Sequence, residues 1–541
     1  MWLTLAGVLT ALVLVATVAN QIVDTNFYVL PEAVSLLAGD RPYRDFIEWG
    51  APLAAYASAG MQVLVGYRLI GEFALQWICI TGGAIISTHL GIRFSRSAVA
   101  TMALLPVPLV ILTQTPSYHY SKLLFFPLAL WMAWRYLDLP SPRRAVALAV
   151  VVATAFLFRH DYGVWLGAQA ICAFALARTT VPESRAVRSL LTDAAAFAVT
   201  VVVIVSPWLV LVHANEGLTH FVLSRASEYE SAEGGTVYGR LLAPGRFLAM
   251  SPFDRNAALL WLQWVTLFVP IALIVSGILD AVRQAAPRRA VSAAAAQAVL
   301  AGVGLALIDA ALIRQPTYLV IVAPMTAALS ARFIRWPGSA PEGADRAWAY
   351  GRWTVSVMLA ATTGVAAVSW ARDTPLFRPS EIAGSVGKAF SRLVASPPVA
   401  GAGPLVFHYL HDCTAPGDRL LVTGPTPYDV NYYAERPMAG GHLFWHQHWG
   451  TDPETEARSL AMLERQSVPF VFSSSAPVFE DFQRYPAIAR YLAAYYVPVK
   501  TFDGRLLVDT RRRPTGRFGP DALPCFGMPA TRAEGRFHDP D

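Results

Sequence analysis

Two carboxylates in the first long polar segment of the chain have the chemistry of a general base. Asp24 follows the first apolar run and Asp45 comes 21 residues later. A carboxylate within hydrogen-bond reach of an attacking hydroxyl can accept its proton. Asp24 is the first candidate for this base, and Asp45 is the second or else orients the hydroxyl or a metal ion. The competing interpretation of Asp24 is an interfacial charge that starts a surface helix.

A second group of ionisable residues, Arg159-His160-Asp161, lies between two apolar runs. Charged side chains in such a position are costly unless they are used. A guanidinium can bind a phosphate with two parallel hydrogen bonds, so Arg159 would suit a leaving phosphate, and Asp161 would be a further carboxylate. A well-solvated turn at a membrane interface is the alternative.

Lys122 follows Tyr118 and His119 and is the only lysine before residue 388. Its ammonium group would either extend outward to a phosphate or anchor the helix at the interface. We take all three residues as candidate substrate contacts.

Two other polar groups favour a structural interpretation. His220, Arg225, Glu228 and Tyr229 form a stripe at helical spacing that fits a solvated face, although Arg225 remains a candidate substrate contact. His442, His446 and His448 resemble the spacing of zinc ligands, but no cysteine or acidic residue lies among them. Packing of an aromatic-rich segment is favoured there, and the sequence assigns no metal site.

The elements that must position these residues are mostly membrane-spanning helices. The chain is 55% hydrophobic and only 15% charged, against about 25% charged residues in soluble proteins. A span needs about 20 apolar residues. Eleven spans are predicted, at residues 1–23, 71–92, 98–115, 119–137, 145–159, 162–178, 190–212, 257–280, 293–313, 317–334 and 353–371. Residues 53–70 are placed at the outer interface or in a re-entrant element.

The distribution of arginine sets the predicted orientation. With a cytoplasmic N-terminus, the inner loops hold fifteen basic residues in about 60 positions, and the outer loops hold ten in about 104. This is the positive-inside asymmetry, and counting 53–70 as a span would invert it. The sequence therefore predicts an integral protein of a bacterial-type inner (cytoplasmic) membrane, with domain 1–371 in the bilayer and domain 372–541 outside the cytoplasm.

The outer loops 24–70 and 213–256 are long, as functional loops often are. In the first loop, Phe27, Leu30, Val34 and Leu37 recur at helical spacing. They predict a short amphipathic helix on the membrane surface, ended by Gly39.

Residues 372–541 have the pattern of a small α/β domain, with equal numbers of basic and acidic side chains. Strands are predicted at 419–424, 468–473 and 505–510, and a helix at 454–466. The tail after Arg511 is rich in Pro, Gly and Arg and is predicted to be loose. Cys413 and Cys525 both lie in this domain, where a disulfide between them is predicted if the domain is extracytoplasmic; two free thiols are the alternative.

The first outer loop resembles that of GT-C glycosyltransferases, in the broad group of lipid A aminoarabinose transferases, protein O-mannosyltransferases and rhizobial lipopolysaccharide transferases. Relatives carry an acidic residue after the first helix, then a Tyr and a small residue, a Gly-x-x-Pro-Tyr step and a Pro-Leu entry to the next element. The matching segments here are Asp24–Tyr28, Ala33, Leu37–Phe46 and Ala51–Leu53. Thr25 stands where many relatives have Glu, and Gly50-Ala51-Pro52 replaces the Lys-Pro-Pro of the aminoarabinose group, which argues against that particular substrate.

The resemblance implies a GT-C-like helical membrane protein that transfers a sugar, with inversion, from a polyprenyl-phosphate donor to an extracytoplasmic lipid, glycan or protein acceptor. Asp24, Asp45 and Asp161 are then the candidate catalytic residues. The candidate substrate contacts are Tyr28, Tyr43, Glu48, Tyr118, His119, Lys122, Arg159, His160 and Arg225. No cofactor is required by the pattern beyond the open role for a divalent metal ion.

Two other classes of function are weighed against this one. A nucleic-acid partner is disfavoured, because the soluble part shows no basic stripe with interleaved aromatic residues. A transporter or flippase of a lipid-linked sugar is the main alternative. It should show paired broken helices or a pseudo-repeat near the midplane, and the sequence shows neither.

Overall fold

The computed structural model describes a defined part of the chain: residues 1–18, 29–48, 50–105, 109, 120–180, 186–223, 255–284, 292–312, 319–334, 379–397, 405–424, 429–443, 445 and 451–527. These residues form two compact units. Unit one comprises residues 1–22, 74–207 and 235–388, and unit two comprises residues 23–73, 208–234 and 389–541.

The helices of the first two-thirds of the chain follow the apolar runs. They are α1 (Trp2–Ala16), α2 (Leu30–Leu37), α3 (Pro52–Val65), α4 (Ile70–Ser95), α5 (Ala98–Leu104), α6 (Ser121–Asp138), α7 (Pro142–Phe158), α8 (His160–Thr180), α9 (Ala186–Asn215), α10 (Arg255–Gln284), α11 (Ala293–Leu312) and α12 (Leu319–Ser330). Each of the ten predicted spans from 1–23 to 317–334 contains one of these helices, while 353–371 lies outside the described residues. Only Ala98–Leu104 of the predicted span 98–115 is described as helix.

Among the described residues, two helices are long and apolar enough to cross a membrane by length and composition, Ile70–Ser95 and Ser189–Asn215. The core of unit one includes a cluster of buried apolar side chains from α6, α7, α8 and α11, among them Trp134, Tyr162 and Leu300. Polar partners join helices in the same unit. Trp134 Nε1 donates to the Gln297 carbonyl at 3.1 Å, and Arg93 pairs with Asp138 at 2.5 Å.

Helix α3 covers most of the segment 53–70, which the sequence analysis placed at the outer interface or in a re-entrant element. Its 14 residues rise about 21 Å, less than the hydrocarbon core of about 30 Å. The helix ends at Gly66, which has a left-handed φ of 72°.

Helix α2 has the predicted position but not the predicted surroundings. It ends at Leu37, before Gly39 at a φ of +92°. Its polar side chains Glu32 and Ser35 are buried, and Ser35 Oγ accepts a hydrogen bond from the Met438 amide at 3.2 Å. The prediction of a helix with a solvated polar face is therefore wrong, because the C-terminal domain supplies partners for that face.

The C-terminal part of unit two is an α/β domain, as predicted. Its main sheet has the order β1-β2-β4-β3, from strands β1 (Leu420–Thr423), β2 (Phe470–Ser473), β3 (Tyr496–Pro498) and β4 (Leu506–Asp509). Strands β1 and β2 are parallel, with Leu421 opposite Val471, and the other pairs are antiparallel. Its helices are α13 (Pro379–Val394), α14 (Leu405–Asp412), α15 (Val430–Ala434), α16 (Pro453–Arg465), α17 (Val478–Asp481) and α18 (Pro486–Tyr495).

The segment after Arg511 is not loose over its described length. Residues up to 527 form an antiparallel hairpin of β5 (Gly516–Phe518) and β6 (Leu523–Cys525). The predicted disulfide between Cys413 and Cys525 is present, with the Cα atoms 4.4 Å apart. Tyr409 also donates to the Pro524 carbonyl at 2.5 Å. These contacts order a segment whose composition alone indicated a flexible tail.

Candidate functional site

The structure describes seven of the twelve residues predicted to act on substrate. Tyr43, Asp45 and Glu48 lie together in unit two, and Lys122, Arg159, His160 and Asp161 lie together in unit one. Asp24, Tyr28, Tyr118, His119 and Arg225 lie outside the described residues. We refer to residues 40–48 as the Asp45 loop, and to Lys122, Arg159, Asp161 and Tyr162 as the Tyr162 cluster.

Asp45 is an ionised, partly exposed carboxylate held by its own loop. Arg44 Nε lies 2.9 and 3.0 Å from its two oxygens, and the Arg41 amide donates to it at 2.9 Å. Partial burial raises the pKa of Asp45, but the hydrogen bonds from Arg44 and Arg41 outweigh burial and leave the pKa below its ordinary value. The side chain remains 25% exposed, so one face of the carboxylate is open to a ligand.

Tyr43 forms the buried side of the Asp45 loop. Its hydroxyl donates to Glu48 and accepts a hydrogen bond from Trp208 Nε1 at 2.7 Å. The Tyr43 ring packs edge-on against Phe221, with the centroids 5.9 Å apart. Its φ of +64° is unusual for a residue with a side chain and costs energy that these contacts offset.

Glu48 is fully buried and connects the loop to helix α3. One carboxylate oxygen accepts from Tyr43 and the other from the Ala51 amide. Both bonds use the charged acceptor that an ionised carboxylate provides. Tyr43 and Glu48 therefore join the loop to Trp208 and to the start of helix α3.

Residues of the C-terminal domain also hold the Asp45 loop, and no motif around them in the sequence pointed to that contact. Arg419 forms a two-point pair with Asp40, at 2.7 and 2.5 Å, with the Asp40 side chain only 7% exposed. The Gly441 carbonyl accepts from the Ile47 amide at 2.7 Å. Arg458 donates to the carbonyl of Tyr43. The partners lie more than 370 positions apart in the chain, so only knowledge of the tertiary fold could have identified them.

The Tyr162 cluster places two cations against one aromatic ring in unit one. Lys122 Nζ lies 5.1 Å and Arg159 Cζ 5.8 Å from the Tyr162 ring centroid. Arg159 Nε lies 2.9 Å from Asp161 Oδ1, and both side chains are 25% exposed. The guanidinium of Arg159, together with Lys122 when its amine is protonated, would suit an anionic ligand.

The Lys122 side chain is buried and does not extend outward, while its role as a substrate contact stays a prediction. Its ammonium group lies over Tyr162, where the ring face attracts a cation. His160 stacks on Phe156, with the ring centroids 4.6 Å apart. The backbone of Gly163 comes so close to Phe156 that a Cβ would lie 2.2 Å from the Cβ of Phe156. The two helices therefore meet tightly at the turn that carries Arg159 and Asp161.

The described histidines of the other two predicted groups have structural partners. His442 is buried against Trp445 and Tyr485, at centroid distances of 4.7 and 6.2 Å, which agrees with aromatic packing. His446 and His448 lie outside the described residues. His220 approaches Glu454 at 3.5 Å. Within the described ranges no group of three or more His, Cys, Asp or Glu side chains could hold a metal ion.

Comparison with solved structures extends over nearly the whole chain. ArnT from Cupriavidus metallidurans bound to undecaprenyl phosphate is 15% identical, with a TM-score of 0.52, over 94% of this chain and 97% of ArnT. The same protein in the apo state gives a TM-score of 0.49 at 14% identity, over 94% and 97% of the two chains. The Archaeoglobus fulgidus oligosaccharyltransferase in complex with Zn and sulfate gives 0.38 at 10% identity, over 91% of this chain and 71% of that one.

No protein-family profile matches the chain, and no curated protein matches it significantly. What is shared with known proteins is therefore the arrangement of the backbone. The likeness to ArnT bound to undecaprenyl phosphate shows that the two chains share a fold, and in that respect it agrees with the architecture that the resemblance of the first outer loop implied.

Proposed function

We propose that this chain is an inverting membrane glycosyltransferase that moves a sugar from a polyprenyl-phosphate donor to an extracytoplasmic lipid, glycan or protein acceptor. The observation that carries the proposal is the fold shared with ArnT, whose structure holds undecaprenyl phosphate, over 94% of this chain and 97% of that one. The paired carboxylates and the cationic Tyr162 cluster supply the chemistry that such a reaction needs.

The two carboxylates have different roles in the proposed mechanism. Asp24 removes the proton of the acceptor hydroxyl as that hydroxyl attacks the sugar from the face opposite the phosphate. Asp45 is a weaker base than an ordinary aspartate, because its pKa lies below the ordinary value, and base strength falls with pKa. It therefore orients the acceptor or a divalent metal ion, while Tyr43 and Glu48 hold its loop and Tyr28 contacts the substrate.

The leaving phosphate gains negative charge as the bond to the sugar breaks, and a fixed cation stabilises that charge. Arg159 supplies a fork-shaped guanidinium and Lys122 a point charge, both within 6 Å of the Tyr162 ring centre. Asp161 orients Arg159 through their 2.9 Å contact. His160, Tyr118, His119 and Arg225 complete the proposed contacts with the donor and the acceptor.

The proposed location is a bacterial-type inner membrane with the C-terminal domain outside the cytoplasm. The disulfide between Cys413 and Cys525 supports this orientation, because disulfides persist in oxidising compartments and are rare in the cytosol. The arginine asymmetry of the predicted loops supports it independently.

The function is tested with the full chain purified in detergent and given undecaprenyl-phosphate sugars with a radiolabelled hexose or pentose, together with envelope lipids and glycans. Transfer of label and release of undecaprenyl phosphate are measured. Asp24→Asn and Asp45→Asn should each lower transfer by about 10²–10⁴-fold and leave donor binding intact. Asp521→Asn, at an exposed position of unit two, is the matched control.

Wild-type turnover in both variants would refute the assignment of the carboxylates. The transporter alternative makes a different prediction, which proteoliposomes can test. Movement of the intact lipid-linked sugar across the bilayer, without transfer to any acceptor, would replace the glycosyltransferase proposal.

A further inference from the structure

Arg458 lies on helix α16 of the C-terminal domain, and its guanidinium meets the backbone of the Asp45 loop. Its Nη2 donates to the Tyr43 carbonyl and lies 3.4 Å from the carbonyl of Arg44. These are the two residues immediately before Asp45. A guanidinium that bonds to backbone carbonyls fixes the path of the chain, whatever the side chains there are.

The surroundings of Arg458 keep it charged and directed at the loop. The side chain is partly buried, and this burial lowers its pKa, while the carboxylates of Glu216, Asp45 and Glu454 act in the opposite direction. Asp45 is therefore both close to Arg458 and electrostatically coupled to it. Such a charge is costly to remove from water unless it is used in hydrogen bonds.

Gly441 provides a second contact of the same domain with the same loop. Its carbonyl accepts from the Ile47 amide at 2.7 Å. A Cβ at Gly441 would lie 3.0 Å from the Asp45 carbonyl oxygen and 2.6 Å from Met462 Sδ, and the residue has a φ of +68°. Only glycine allows this approach without strain. Arg458 holds the loop before Asp45, and Gly441 holds it just after.

We propose that the C-terminal domain forms part of the active site by fixing the position of Asp45, and that Arg458 is the positioning residue for this carboxylate. The expected effect on catalysis rests on the proposed function, whereas the expected effect on the structure of the loop does not. We call the contacts of Arg458 and Gly441 with the Asp45 loop the clamp. The clamp lies within unit two, which contains both the Asp45 loop and helix α16.

The structural part of the proposal is tested by hydrogen–deuterium exchange of the full chain in detergent. Arg458→Ala should speed the exchange of peptides covering residues 41–48 by about tenfold or more, the factor that corresponds to the loss of one charged hydrogen bond. Arg465→Ala is the matched control, because Arg465 lies on the same helix, is exposed and bonds only to the Ala461 carbonyl at 3.0 Å. Unchanged exchange of residues 41–48 in Arg458→Ala would overturn the clamp.

The catalytic part is tested by steady-state transfer from an undecaprenyl-phosphate sugar. Arg458→Ala should lower kcat by about 10²-fold, the cost of a 1 Å misplacement of a catalytic group, while the KM for the donor stays constant. Arg458→Lys should recover part of the loss, because an ammonium group can still donate to one of the two carbonyls. Equal kcat in Arg458→Ala and wild type, or a change confined to the donor KM, would overturn the positioning role.

The two measurements separate this proposal from the proposed function. If wild type transfers no sugar and Arg458→Ala loosens residues 41–48, the clamp stands and the function fails. If wild type transfers sugar and Arg458→Ala behaves like Arg465→Ala in both measurements, the function stands and the clamp fails. Should Arg458→Ala not fold, Arg458→Lys against Arg465→Lys gives the same comparison.

Discussion

Several polar groups of the Asp45 loop are held by residues far away in the chain, whereas the Tyr162 cluster contains an ion pair between near neighbours. Asp40 meets Arg419 across 379 positions, Tyr43 meets Trp208 across 165 and Arg458 across 415. In the Tyr162 cluster, Arg159 pairs with Asp161 two positions away, and Lys122 of α6 lies over Tyr162 of the packed helix α8.

The difference has consequences for how each region forms. Local pairs close as the turn between α7 and α8 folds and need no distant segment. The Asp45 loop takes its shape only after the C-terminal domain has folded, because its partners must first be brought across a long stretch of chain. Asp40, Tyr43 and Glu48 of the loop are also more deeply buried than Arg159 and Asp161, so the loss of a partner there should cost more free energy.

The disulfide between Cys413 and Cys525 is a covalent contact between distant parts of the chain. Its removal should cause the largest loss in the free energy of unfolding. Replacing both cysteines with serine reopens a loop of 112 residues, which the chain-entropy model values at about 4–5 kcal/mol. Hydrogen–deuterium exchange should show that free-energy loss in the strands and hairpin of the C-terminal domain. Exchange at Arg159–Tyr162 should not change.

Cys172→Ser is the control, because Cys172 carries a free thiol. A double variant with native exchange throughout the C-terminal domain would show that the noncovalent contacts of unit two suffice without the crosslink.

A pair of aspartate variants tests the comparison directly. Asp40→Asn leaves a mostly buried Arg419 without its ionic partner, which typically costs about 3–5 kcal/mol. Asp161→Asn breaks a partly exposed local pair worth about 0–1 kcal/mol. The measurement is the free energy of unfolding of the full chain in each variant. Equal losses would mean that burial and distance along the chain do not distinguish the two regions.

Sequence reasoning succeeded where the signal is periodic. Apolar runs predicted the helices from α4 to α12, and short apolar runs predicted β1, β2 and β4. The turn before β4 has positive φ angles at Asp503 and Gly504, 50° and 77°. Strand β3 was missed because it has only three residues, including an exposed Val497, and carries little periodicity.

The same reasoning did not identify the groups that support the candidate site. Arg419 and Arg458 have the sequence context of ordinary solvated arginines, and Trp208 that of one more apolar residue in a span. The inward position of Lys122 depends on Tyr162, which belongs to another helix. The segment after Arg511 looked flexible by composition, but a disulfide and the Tyr409 hydrogen bond order it. In each case a contact with a residue elsewhere in the sequence determines the position of the side chain or segment.

The Tyr43 hydroxyl gives a third and smaller test. Tyr43→Phe removes the buried hydrogen bonds that the Tyr43 hydroxyl makes with Trp208 Nε1 and Glu48, at a cost of about 1–3 kcal/mol. Tyr56→Phe, at a ring that is 49% exposed on α3, should be nearly neutral. Thermal unfolding of the two variants in the same detergent makes the comparison. If Tyr43→Phe is as stable as Tyr56→Phe, the buried hydroxyl does not hold the loop.

Asp481, at the end of α17 in unit two, provides the smallest expected effect and one that depends on pH. Burial raises its pKa above the ordinary value of an aspartate, although the hydroxyls of Ser473 and Thr423 lower it, and Glu480 raises it further. Its Oδ2 is a buried oxygen that no hydrogen bond of ordinary geometry satisfies. Protonation of Asp481 is therefore more favourable in the folded protein than in the unfolded chain.

The sign of the pH dependence follows from that shift. Between the unfolded and the folded pKa the folded state binds more protons, so the free energy of unfolding falls as pH rises through this window. Above the folded pKa the full destabilisation is present.

Asp481→Asn removes the charge and should unfold at a higher temperature than wild type at pH 7, and the difference should vanish as pH falls toward 3.8. Thermal unfolding of both proteins from pH 4 to pH 8 measures it, with the exposed Asp521→Asn as control. A wild type that is the more stable protein at pH 7 would mean that the ionised carboxylate has a stabilising partner. Unit two would then hold Asp481, like Asp40, through a long-range cation.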